Sequence, residues 1–143
     1  VYKRQVYYPV SIKDFNKTDR RESGYCRVKI EGKDLSFYGK KIKTKNKNFW
    51  VYAANPGKIK KPSRNHPIVQ SYVDLFIGGC FQIKERYKIN EFPKQCVETT
   101  TEWSKYWVND RVHARRPFLV PNFYKIDNLL SNFFDYYLEN EYQ

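Results

Sequence analysis

Methionine is absent from the 143 residues, and cysteine, histidine and glycine are scarce. The missing methionine leads us to expect the natural start outside these residues. The opening Val1-Tyr2-Lys3-Arg4-Gln5 resembles a translated adapter tail, so the fold argument begins at residue 6. Three cysteines, Cys26, Cys80 and Cys96, without a CxxC pair argue against a disulfide framework and a zinc site. They read as reduced core residues in a cytoplasmic protein. No apolar run approaches the length of a membrane span, and there is no signal-peptide pattern, so no membrane partner is expected. HExxH, Walker and GxSxG motifs are all missing, and no enzyme activity, cofactor or metal is expected.

What is plentiful is positive charge and aromatic surface. Aromatics make up 18% of the chain and the formal charge is +12. Residues 1–65 hold 18 Lys/Arg against 5 Asp/Glu, a net of +13, whereas residues 66–143 hold 9 against 10. A bias toward Lys, Asn, Ile, Tyr and Phe would raise lysine throughout, and the second half does not follow. A basic field of this size attracts nucleic acid, anionic lipid or an acidic protein.

Hydrophobic patterning predicts one α+β domain over residues 6–143, with a sub-boundary near 90–94. The fold expected is an antiparallel sheet of four to five strands, covered on one face by helices and followed by a C-terminal amphipathic helix. Val6–Val10 reads as a short β-type run and Lys13–Ser23 as a loop. Tyr25–Ile30 alternates as a strand, Glu31–Asp34 reads as a hairpin turn, and Leu35–Tyr38 alternates again. Gly39 reads as a bulge, with Ile42 and Thr44 carrying the strand onward. Phe49–Ala53 returns. A helix is expected from Pro67 to Gly78-Gly79, then a strand at Phe81–Lys84. The Thr99/Glu102 spacing suggests a short helix carrying Trp103 and Trp107. An apolar stripe from Ile126 through Leu129, Leu130, Phe133, Phe134 and Tyr137 to Leu138 marks the last helix.

The alternation gives the sheet two different faces. Cys26, Val28, Ile30, Leu35, Phe37, Phe49, Val51 and Ala53 suit packing under helices. Tyr25, Arg27, Lys29, Tyr38, Trp50 and Tyr52 form an aromatic and basic face. Lys41, Lys43, Lys45 and Lys47 recur at every second position, which on an extended backbone places them along one edge. Exposed aromatics beside cations suit single-stranded DNA or RNA: bases stack on Trp and Tyr while Lys and Arg follow the phosphates. Lysine reads no bases as arginine's fork does, so little sequence preference follows. The alternative arrangement buries Trp50 and Tyr52 under the C-terminal half and leaves the lysines as a solvated hairpin tip.

The stretch "NFWVYAANPGK" follows a Lys/Asn-rich turn and is itself followed by a basic loop and "HPI" at residues 66–68. In this order it resembles the stage V sporulation protein G family of bacterial and phage nucleic-acid-binding proteins, over roughly residues 25–90. The resemblance puts the family's turn-strand pattern on Lys45–Val51 and its proline-and-basic segment on Pro56–Lys61. It implies nucleic acid as the partner.

Arg111, His113, Arg115 and Arg116 in "RVHARRP" form a second cationic group. Arg115 and Arg116 read as secondary phosphate contacts. The same residues would also suit a metal-dependent nuclease with His113 as base, but no acidic pair has the spacing for its metal. His66, ahead of Pro67, reads as a helix cap or loop group. A further alternative is a protein-interaction or oligomerisation module that uses the 126–138 aromatic helix, as in a homo-oligomer.

Overall fold

The computed structural model describes residues 5–39, 42–116 and 120–135. They divide into two compact units, Tyr7–Lys60 and Lys61–Gln143 with Val1–Val6. The class is α+β, with four helices and four short strands among the described residues.

In the first unit, α1 spans Ile12–Arg21, where a loop is expected from sequence. Its composition is polar, but its ends are signalled. Ser11 is the N-cap and its hydroxyl donates to Asp14 at 2.6 Å. Asp14 in the first turn and Arg20 and Arg21 in the last complement the helix dipole. Strands β1 (Tyr25–Ile30) and β2 (Phe49–Ala54) pair antiparallel, with Arg27 opposite Tyr52, Val28 opposite Val51 and Lys29 opposite Trp50.

The expected strand over Leu35–Tyr38 and Ile42–Thr44 is not formed. Residues 31–48 connect β1 to β2 through a short helical turn at Gly32–Asp34. That connection folds back on itself: a Cβ at Gly32 would sit 2.8 Å from Thr44 Cβ, so the close approach requires glycine. Phe37 turns to an aromatic cluster rather than a ladder, with ring centroids 6.2 Å from Phe49 and 5.7 Å from Tyr7. Gly39, expected as a bulge, has φ +79 outside any strand. Val6–Val10 has no regular structure.

In the second unit, β3 (Ile68–Val69) and β4 (Trp107–Val108) pair in parallel. Helix α2 runs Gln70–Tyr87, straight through Gly78-Gly79 and over the expected strand at Phe81–Lys84. Gly78 is there for packing: an added Cβ would meet Val120 Cγ1 at 3.0 Å. The helix ends at Lys88 in the left-handed region, φ 58. Helix α3 spans Phe92–Glu98, ahead of the predicted Thr99/Glu102 start, and Trp107 lies on β4. Helix α4 spans Tyr124–Ser131 and stops well short of the expected 126–138 stripe. Tyr137 and Leu138 lie outside the described residues.

The core is assembled from α2, α3 and α4 around Ile77, Cys96, Val97, Ile126 and Leu130. Burying each aliphatic side chain contributes about 1.5–3 kcal/mol. Phe133 and Phe134 pack on this core, and Phe134 lies 5.3 Å from Trp103, which stacks on Trp107 at 5.7 Å. Phe92 and Pro93, inside the expected sub-boundary, are buried here.

Among the described residues, the expected single sheet is therefore replaced by two two-stranded ones. Strands β3 and β4 are only two residues long, too short to extend a common sheet.

Candidate nucleic-acid interface

The β1–β2 register brings Tyr25, Arg27, Lys29, Trp50 and Tyr52 onto one face, because directly paired residues point the same way. This face is the one that α1 covers. Phe15 meets Trp50 edge-on with centroids 6.0 Å apart. The Arg27 guanidinium sits 4.3 Å from the Phe15 ring centre and 5.1 Å from that of Trp50, a cation flanked by two π faces. Asp19, one helical turn beyond Phe15, pairs with Arg27 Nη1 at 3.3 Å and accepts the Tyr52 hydroxyl hydrogen bond.

The Arg27–Asp19 pairing is incomplete. Arg27 Nη1 is sealed from solvent yet makes no hydrogen bond of good geometry. The Tyr52 phenol is held above its ordinary value by partial desolvation and then by its bond to Asp19. Trp50 keeps 40% of its surface, and Lys29 beside it is exposed.

The opposite face corrects the packing expected from alternation. Cys26 and Val28 belong to the set assigned to the interior, yet both are exposed, Val28 at 46%. The helix that follows from the sequence nearest to the hairpin carries its two anchoring groups, Phe15 and Asp19, toward a cation and a phenol. At its Phe49 end the apolar face meets Tyr7 and Phe37. No residue of Tyr7–Lys60 is fully buried among those described.

Lys43, Lys45 and Lys47 are exposed, but not along one extended edge. Thr44 O accepts from Lys47 N at 3.1 Å and Asn46 has φ 63, so a turn interrupts the lysine run. Tyr38 is exposed in the same connection, and Lys41 lies outside the described residues. Among the described residues, none of this unit's lysines forms an ion pair.

Arg115 and Arg116 are exposed on the second unit. Arg116 stacks on Tyr72 at 4.4 Å. Arg111 has a structural task instead. Its Nε and Nη2 donate to Asp74 at 2.8 Å each, and its Nη1 and Nη2 donate to Asp127 at 2.9 and 2.6 Å. Asp74 also accepts from Gln70, which accepts in turn from the Trp107 indole at 2.7 Å. This chain of buried and half-buried polar groups secures α2 to β4 and α4. His113 is exposed in a short turn, and His66 exchanges backbone hydrogen bonds with Ser63 rather than capping a helix. No group of three or more His, Cys, Asp or Glu suited to a metal occurs among the described residues.

Phe15 and Asp19 are the members of this surface that the sequence reading misses. Their spacing of four puts them on one side of α1, facing an Arg and a Tyr that pair across β1 and β2. No family model, curated protein or solved structure matches the chain.

Proposed function

We propose that this protein binds single-stranded nucleic acid, DNA or RNA, with little sequence preference. The observation that carries the reading is uncompensated charge. The unit Tyr7–Lys60 holds 14 Lys/Arg against 5 Asp/Glu, a net of +9. Asp19 and Glu22 are engaged by arginines, while the described lysines of this unit form no ion pair. The same unit carries the partly exposed rings of Trp50, Tyr38 and Tyr25, with Trp50 directly opposite Lys29 in the hairpin. Charge of one sign next to uncovered π surface suits a strand that offers phosphates and bases together.

In this reading Lys29, Lys43, Lys45 and Lys47 hold phosphates and Trp50 and Tyr38 stack bases. Lys41 joins them by its place in the run. Arg115 and Arg116 supply phosphate contacts on the other unit. The aromatic groups needed for self-association through the C-terminal segment, Phe133 and Phe134, are partly buried in their own unit, which favours nucleic acid over a protein partner. No helix among the described residues is long and apolar enough to cross a membrane, and three cysteines without a CxxC pair suit a reducing, cytoplasmic setting.

The test is filter binding of a labelled single-stranded oligonucleotide at two salt concentrations. If roughly five lysines neutralise phosphates, log K falls with log salt with a slope of about −3.5. Binding that is absent, or unmoved by salt, overturns the reading.

A further inference from the structure

The covered face of the hairpin carries a second feature, which rests on the nucleic-acid reading and concerns its regulation. We propose that Arg27, Trp50 and Tyr52 form a phosphate-and-base subsite closed by the chain's own helix α1, with Asp19 in the phosphate position and Phe15 in the base position.

Three observations converge. Asp19 presents a carboxylate to a guanidinium and a phenol hydroxyl, the donors a phosphodiester oxygen would use. Phe15 sets its ring edge-on against Trp50 and beside Arg27, in the space that a base stacking on the indole would need. The internal occupant also fits imperfectly, because Arg27 Nη1 is shut away from water without a good acceptor. A phosphate, with more oxygens and more charge, can satisfy it better.

The closure is weakly built, as a displaceable strap should be. Helix α1 has 10 residues and buries none of them, and Ile12 is 84% exposed. A helix this short is marginal in water and persists through its docking contacts. Among the described residues, its side chains reach the strands through Phe15 and Asp19. A strand that takes Arg27, Trp50 and Tyr52 must displace both groups. Apparent affinity is then reduced by the fraction of molecules that are open.

The experiment uses the full chain and an oligothymidylate probe. Phe15→Ala, which leaves the charge unchanged, should tighten binding by roughly fivefold or more by raising the open fraction. Asp19→Asn should tighten it too, and should steepen the salt slope by about 0.7 as Arg27 gains a phosphate. Glu31→Gln removes the same charge from an exposed acid of the same unit and should leave that slope unchanged.

In the wild-type protein, probe binding should speed hydrogen exchange at α1 amides while slowing it in β1 and β2. Wild-type binding that Phe15→Ala and Asp19→Asn leave unchanged or weaken, with α1 protected by the probe, overturns the strap and leaves the function standing. Failure of the wild type and all variants to bind at any salt removes the function and the strap together.

Discussion

Asp110 caps helix α2 from 39 residues away: its Oδ1 accepts the backbone N–H of Ser71 at 2.8 Å, and its Oδ2 accepts the Ser71 hydroxyl at 2.7 Å. A carboxylate at this helix end satisfies an orphan donor and complements the dipole. Asp110→Ala should destabilise the protein by about 1–2 kcal/mol, read by urea denaturation.

The same cap sets an acid limit. Burial alone would raise the Asp110 pKa. The N–H of Arg115 and then the Ser71 hydroxyl and N–H outweigh burial and hold it below 3.8. A depressed carboxylate contributes stability that is complete above its unfolded value and is lost as pH falls through the folded one. Below pH 3.8 the wild type should therefore lose stability faster than Asp110→Ala, which thermal melts across that range will check.

Arg111 bridges Asp74 and Asp127 with paired hydrogen bonds to each. Arg111→Ala strands two poorly exposed carboxylates and should cost about 3–5 kcal/mol. Arg111→Lys cannot fork to both acids and should recover only part of that loss. Denaturant midpoints for the three proteins decide it.

Tyr52 gives the opposite pH signature. Its folded pKa is raised above 10.0, so its contribution is complete below 10.0 and is lost as pH rises through the folded value. Phenolate absorbance should show a late component that Tyr52→Phe removes. Asp19→Asn should bring that titration back toward the ordinary value, since it removes an acceptor and a negative charge.

Lysine and tryptophan should separate on the nucleic-acid surface. Lys43→Ala should lower the salt slope by about 0.7, the loss of one phosphate contact to a single strand. Trp50→Ala should weaken binding by about 1–3 kcal/mol with the slope unchanged. Titrations at several salt concentrations read both quantities.

The thiols should divide by exposure. Cys26 is exposed, whereas Cys80 and Cys96 are buried together, and the Cys80 thiol is pushed up by its bond to Cys96 and then by burial. A thiol reagent should modify Cys26 rapidly in the native protein and reach the other two on the unfolding timescale.

Strands β1 and β2 were legible because strict alternation is a local signal, and the same alternation gave the grouping of Arg27, Lys29, Trp50 and Tyr52. Which face a helix covers is not local. Assigning Val28 and Cys26 to the interior followed from their apolarity, yet Phe15 and Asp19 draw α1 to the other side by charge and π contacts. Gly78-Gly79 looked like a helix end because glycine disfavours helix, and the close approach of Val120 overrides that preference. Helix α1 was hidden by its polar composition. The Gln70–Asp74–Arg111–Asp127 network was hidden by sequence distance, since Asp74 and Arg111 stand 37 residues apart. A lone acid at Asp74 in an otherwise apolar helical stretch was its one trace.

With no fully buried side chain among its described residues, the unit Tyr7–Lys60 has little internal cohesion to hold its hairpin shut against solvent. Whatever settles on it will supply a large share of its rigidity, so occupancy should register as a rise in the temperature at which this hairpin alone frays, growing with ligand concentration by mass action.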